Sequence, residues 1–190
     1  IIPIFACSWV GVFLYKKYAI YKGIISHPNG RTLHELLIPR GGGIVFSLLF
    51  ISAIFLIWRY QQLSDNLFLM VGVGGGMATF FGFIDDIKNI RARTKLIIQI
   101  LLSSWVVYCL YSDTLLLLNW MPIFITIPAC LFFMVWAINA YNFMDGVDGM
   151  AAFGAVFASL TLALVLFITD DFVELIPIFI LIAAMVGGFI

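Results

Sequence analysis

Charge is what this chain has least of. Only 11% of its 190 residues are Asp, Glu, Lys or Arg, against 64% hydrophobic, and the mean hydropathy is +1.13. A soluble globular domain carries about 25% charged and 45–50% apolar residues, so that class is excluded and the chain reads as a multi-spanning membrane protein. Histidine is nearly absent, with only His27 and His34. The three cysteines, Cys7, Cys109 and Cys130, stand singly in apolar runs with no C-x-x-C and no neighbouring His, which argues against a structural metal site and reads them as small buried hydrophobes. Alternating apolar and polar residues are missing too, so the spans are expected as helices rather than barrel strands. Ionisable residues are absent from the middles of the apolar runs, which disfavours an ion-conducting path through the bilayer.

What is present is a succession of apolar runs. Hydropathy predicts an all-α, polytopic transmembrane bundle of about seven spans: Ile2–Tyr15, Gly41–Trp58, Leu67–Ile84, Leu96–Tyr111, Pro122–Ile138, Met150–Ile168 and Leu175–Ile190. Residues 1–190 read as a single integral-membrane domain. The chain opens on Ile1-Ile2-Pro3 and stops inside an apolar run, so it is expected to be part of a longer polypeptide. Nine of the ten Lys and Arg fall in one set of alternate loops, Lys16 to Arg40 and Lys88 to Lys95; the opposite loops hold Arg59 with several acids. The positive-inside rule places the basic loops in the cytoplasm and the N-terminus outside.

Every polar cluster that could do chemistry then falls on that one face. Asp85 and Asp86 close the apolar run Phe80-Phe81-Gly82-Phe83-Ile84. Adjacent carboxylates at a span end repel one another and resist desolvation, a cost that a divalent cation offsets. The following segment, Ile87 to Lys95, adds the bases Lys88, Arg91, Arg93 and Lys95. Some of these would meet anionic headgroups, but a site for Mg²⁺ and phosphate needs both signs of charge. Asn139, Asn142, Asp145 and Asp148 recur at every third position, with Gly146 and Gly149 between, a pattern too regular for a plain turn. The first loop offers Arg31, His34 and Arg40, the last before Gly41-Gly42-Gly43, where a helix start would present amides to an anion or the glycines would permit tight helix contact. Gly72 and Gly74-Gly75-Gly76 lie mid-span and suit helix packing, within the chain or between two copies in a homodimer; they do not form a phosphate loop.

Three segments in order carry a family resemblance: Pro28-Asn29-x-Arg31-x-x-His34 with Pro39-Arg40-Gly41-Gly42-Gly43, then Phe83-Ile84-Asp85-Asp86, then Asn139-x-x-Asn142-x-x-Asp145-Gly146-x-Asp148-Gly149-Met150-Ala151. Together they resemble the polyprenyl-phosphate N-acetylhexosamine-1-phosphate transferases, which include the phospho-MurNAc-pentapeptide transferases. The Pro-Arg-Gly-Gly-Gly form looks more like the branch that starts O-antigen and similar surface glycans. The resemblance implies a bacterial inner-membrane enzyme with its site facing the cytoplasm. It implies transfer of N-acetylhexosamine 1-phosphate from a UDP-sugar to undecaprenyl phosphate, with release of UMP and dependence on Mg²⁺ or Mn²⁺.

By the same resemblance Asp85, Asp86, Asp145 and Asp148 are the catalytic set, and Asp85, Asp86 and Asp148 the metal ligands. Arg31, His34, Arg40, Lys88, Lys95, Asn139 and Asn142 would bind substrate. Family members continue with a Gly-Asp element and a His-rich loop that these residues lack, so the chain alone is expected to show little or no activity. Two other readings stay open. A CDP-alcohol phosphatidyltransferase would follow its Asp-Gly with Ala-Arg, where this chain has Val147-Asp148-Gly149. A transporter or non-catalytic scaffold subunit would tolerate replacement of Asp85. No nucleic-acid partner is expected.

Overall fold

The structure, a computed structural model, describes residues 2–26, 38–39, 41–60, 63–88, 90–110, 122–144, 150–169 and 172–189. Seven helices account for most of them: α1 (Ile2–Lys22), α2 (Gly43–Arg59), α3 (Asp65–Lys88), α4 (Ala92–Leu110), α5 (Ile123–Met144), α6 (Met150–Ile168) and α7 (Phe172–Phe189). They correspond one for one to the seven expected spans. Helices α3, α4 and α5 are long and apolar enough to cross a membrane, and Gly43–Arg59, Ala152–Ile168 and Leu175–Val186 are shorter apolar helices. Exposed Phe, Leu, Ile and Trp side chains cover the outside, as lipid contact requires and water would forbid.

The helices overrun the apolar segments at the end that carries the basic residues. Helix α1 continues past Tyr15 to Lys22, with Lys17 Nζ 4.5 Å from the centre of the Phe13 ring. Lysines are good helix formers, and their stems lie along the apolar surface while the charge leaves it. Helix α3 likewise runs through Asp85 and Asp86 to Lys88, and α5 through Asn139 and Asn142 to Met144. Two segments expected as loops are therefore partly helical, which fixes the directions of their side chains. Between α1 and α2 a short antiparallel pair, Ile25–Ser26 with Ile38–Pro39, brings both ends of the intervening segment together.

Packing depends on small residues and a few polar contacts. Helix α7 packs against α1, α6 and α2. Fully buried Ser8 of α1 donates to the Ala184 carbonyl of α7 at 2.6 Å, so two small residues let the backbones approach. A Cβ on Gly11 would lie 2.6 Å from Val45, which makes that glycine the contact between α1 and α2. The glycines of α3 divide. A Cβ on Gly72 would strike Phe68 and one on Gly74 would press on Trp105, whereas Gly75, Gly76 and Gly82 meet nothing within 4 Å. Close packing inside the chain thus explains two of them. Of the cysteines only Cys109 is buried; Cys7 faces outward, because in a lipid-facing helix the exterior is as apolar as the core.

The turn in α3 from Phe68 to Val73 is π-helical. It leaves the Leu69 carbonyl accepting both the Gly74 N–H and, at 3.0 Å, the Trp105 indole N–H of α4. The wider turn re-aims the remainder of α3, which carries the acids.

Candidate functional site

Asp85 and Asp86 point in different directions. Neighbouring residues on a helix point roughly 100° apart. Asp85 turns toward α4: its Oδ2 lies 2.6 Å from Lys95 Nζ, and its Oδ1 accepts the Ile90 N–H at 3.0 Å. One carboxylate thus closes the short connection between two helices and neutralises the base that opens the second. Asp86 is exposed and turns toward α1, where its charge bears on the Tyr15 phenol. Tyr15 was missed in the sequence, because a tyrosine at a span end reads as an interfacial anchor.

Gly41 shows how closely that side is assembled. It is buried with φ +80°, a conformation that side chains rarely adopt, and a Cβ there would lie 2.5 Å from the Tyr15 hydroxyl and 3.1 Å from the Phe83 ring. Of the two readings of Gly41-Gly42-Gly43, tight contact holds at Gly41, where the C-terminal parts of α1 and α3 meet the start of α2. Phe83 stands three residues before Asp86, on the same side of α3.

Four charges at this junction run against the helix dipoles, while Lys88 in the last turn of α3 accords with them. Acids are unfavourable in the last turns of a helix and bases in its first turn, each by about 0.3–1 kcal/mol. Yet α3 ends with Asp85 and Asp86, and α4 begins with Arg93 and Lys95. The Asp85–Lys95 ion pair offsets part of that cost. Local rules broken together at one place are expected where a functional or strained site lies. Arg91 and Arg93 are exposed beside it.

A second polar link joins α4 to α5. Gln99 and Asn139 exchange amide hydrogen bonds: Asn139 Nδ2 donates to Gln99 Oε1 at 2.8 Å and Gln99 Nε2 to Asn139 Oδ1 at 3.3 Å. The other hydrogen of Asn139 Nδ2 goes to the Val135 carbonyl at 2.8 Å. Asn142, one turn on, is exposed, as is Lys88. The structure therefore brings Asp85, Asp86, Lys88, Lys95, Asn139 and Asn142 to one end of the bundle. Arg31, His34, Arg40, Asp145 and Asp148 lie outside the described residues. Among the described residues no group of three His, Cys, Asp or Glu is placed to hold a metal ion. The donor chemistry that is described is a carboxylate pair with one member, Asp85, engaged by Lys95. Exposed Asp86 suits a hard cation only together with oxygen ligands from elsewhere.

Comparison with known proteins places the chain in a family. The chain is 33% identical over 162 residues to an undecaprenyl-phosphate alpha-N-acetylglucosaminyl 1-phosphate transferase of Yersinia pestis, covering 79% of this chain and 42% of that protein. It is 32% identical over 168 residues to a decaprenyl-phosphate N-acetylglucosaminephosphotransferase of Mycolicibacterium smegmatis, covering 80% and 39%. A phospho-N-acetylmuramoyl-pentapeptide-transferase of Caldicellulosiruptor bescii is 27% identical over 175 residues, covering 81% and 52%. The chain thus spans about half or less of the length of these relatives. Residues 68–190, from the π-helical turn through both polar links to the last helix, match the profile that defines glycosyl transferase family 4, and the chain belongs to that family.

Proposed function

We propose that this chain forms part of a membrane transferase that moves N-acetylhexosamine 1-phosphate from a UDP-sugar to undecaprenyl phosphate or a related polyprenyl phosphate. The observation that carries the reading is the cluster at one bundle end, with Asp85 held by Lys95 and exposed Asp86 beside it, in a chain of this family. A phosphate oxygen of the lipid attacks the β-phosphorus of the nucleotide sugar; one P–O bond forms, another breaks, and UMP leaves. Such a transfer asks the protein mainly for positioning and for charge compensation.

The residues divide accordingly. Lys95 can exchange its Asp85 partner for a phosphoryl oxygen at little cost, since the pair is partly exposed. Asp86, with Asp148 and Asp85, would hold Mg²⁺, which when bound neutralises diphosphate charge. Asn142 and Asp145 would meet the donor, and Lys88, Arg31, His34 and Arg40 would complete the mouth of the site. The bias of basic residues to these loops supports a cytoplasmic position for this face, which in a bacterial inner membrane would meet a UDP-sugar where a glycan would be started.

The test follows UMP release by membranes containing the full-length protein, given undecaprenyl phosphate, Mg²⁺ and UDP-GlcNAc or sibling UDP-sugars. Release that requires the lipid, stops with EDTA and falls about 10²–10³-fold in Asp86→Asn is the expected result. Correctly inserted protein that releases no UMP with any sugar would overturn the reading.

A further inference from the structure

Gln99 is the polar residue in this part of the bundle that the proposed chemistry does not use. It is 7% exposed, two turns into α4, in the sequence Leu96-Ile97-Ile98-Gln99-Ile100-Leu101. Burying a primary amide among aliphatic side chains is unfavourable unless its hydrogen-bonding groups are engaged. Here they are engaged by one partner, Asn139, through two bonds running in opposite directions. Paired amides of this kind hold two helices in a single register as well as at a distance, because sliding either helix breaks both bonds.

The position of the pair gives that register a purpose. Gln99 stands four residues after Lys95, on the same side of α4, and Lys95 is bound to Asp85 of α3. Asn139 stands three residues before Asn142, on adjoining turns at the end of α5. Two bonded pairs, Asp85–Lys95 and Gln99–Asn139, are thus set one turn apart along α4 and link three helices, with Asn142 one turn further along α5. Asn139 is anchored further by donating to Val135 of its own helix, so both hydrogens of its amide are committed. Its amide hydrogens are thus placed to hold α5.

We propose that Gln99 is a positioning residue for the transfer: through Asn139 it sets where the Asn142-bearing end of α5 sits relative to the Asp85–Lys95 pair. The inference rests on the transferase reading for its effect on turnover and on geometry alone for its effect on helix spacing. Interhelical hydrogen bonds in a bilayer add little to stability, so loss of the pair acts mainly on geometry. A displacement of about 1 Å at a phosphoryl-transfer site can cost on the order of a hundredfold in rate.

The experiment uses the full-length protein in lipid nanodiscs with UDP-GlcNAc, undecaprenyl phosphate and Mg²⁺. Gln99→Leu is compared with Gln99→Asn, which keeps the amide but shortens its reach, with Asn139→Gln, and with the exchanged pair Gln99→Asn/Asn139→Gln. Each single variant is expected to lose about ten- to a hundredfold in kcat with little change in KM for the UDP-sugar. The exchanged pair should recover most of that loss.

Spin labels at exposed Ile87 and Tyr141, with the native cysteines replaced, report the distance between the ends of α3 and α5 independently of activity. The distribution should broaden or shift in the single variants and return in the exchanged pair. Full turnover in Gln99→Leu would overturn the proposal. So would an exchanged pair no better than Asn139→Gln alone, which would put Asn139 on the substrate, or a loss carried by KM. Unchanged label distances overturn it whatever the turnover. If the unmodified protein releases no UMP with any donor, the transferase reading fails by itself, and the label distances still decide whether the pair sets the spacing.

Discussion

The two ends of this bundle are held together by different chemistry. At the end away from the acids, Trp58 of α2 stacks on Phe68 of α3 with ring centres 4.2 Å apart and an interplanar angle of 12°. The Trp58 indole N–H donates to Asp65 Oδ1 at 2.7 Å, Ser64 caps the start of α3, and Trp105 reaches across from α4 to the Leu69 carbonyl. Each of these polar groups has a partner of the kind that stabilises it, and Asp65 lies in the first turn of a helix, where a negative charge is favourable. At the other end Asp85, Asp86, Arg93 and Lys95 all oppose their helix dipoles, and the Asp85–Lys95 ion pair is 28–39% exposed. One end follows the local rules and the other breaks them. Substitutions should therefore divide, with stability lost at the aromatic end and activity at the charged end.

Lys95→Met makes the sharpest test. Removing the ammonium leaves Asp85 with the Ile90 amide and takes from the site the base nearest the acids. Turnover in the full-length protein is expected to fall about a hundredfold, the scale of one lost charge-stabilising donor in a transfer reaction. Folding stability should change by less than about 1 kcal/mol, as for partly exposed pairs in general. UMP release and thermal unfolding of the same preparation read both. A large loss of stability with unimpaired turnover per folded molecule would erase the distinction between the ends.

Trp58→Ala is the converse. It removes a stacked ring and an indole donor together, and about 2–3 kcal/mol of stability should go with them, somewhat less than for a fully buried Trp. Trp58 is at the far end of α2 from Gly41, so turnover per folded molecule should match the unmodified protein. Thermal unfolding followed by residual activity after detergent extraction separates the two quantities.

How much of this was legible in the sequence differs between the ends as well. The seven helices followed from continuous apolar runs, because in lipid every backbone group must be satisfied within its own helix. The gathering of Asp85, Lys95 and Asn139 at one end followed from alternation of spans. Hydropathy could not show where the helices stop, since Lys16, Lys17, Asn139 and Asn142 are polar and yet extend α1 and α5 past the apolar core. Nor could it show that Asp85 and Asp86 face different helices, a matter of helical phase rather than composition. Gln99 lies outside the polar clusters, and Tyr15 has the look of an interfacial anchor. A lone amide inside an apolar span was the available signal, and it becomes meaningful only with its partner on another helix. The aromatic end was not readable at all: nothing in the run from Phe68 to Val73 announces a π-helical turn, and Trp58, Phe68 and Trp105 come together only through that turn.

The smallest effect examines whether charge has any structural part at the aromatic end. Asp65→Asn keeps an acceptor for the Trp58 indole but removes the carboxylate charge from both that hydrogen bond and the first turn of α3. Charge-assisted hydrogen bonds exceed neutral ones by about 1 kcal/mol, and exposure to solvent reduces the dipole contribution to a few tenths. A loss of about 0.5–1 kcal/mol is therefore expected, read as a small fall in thermal unfolding temperature with turnover unchanged. Raised salt should narrow the difference between the two proteins, because screening weakens the charge that the substitution removes. A loss as large as that of Trp58→Ala would mean that the hydrogen bond, not the stacked rings, holds this end closed. The contrast between the two ends would then lie in whether a carboxylate is matched to its helix dipole rather than in aromatic packing.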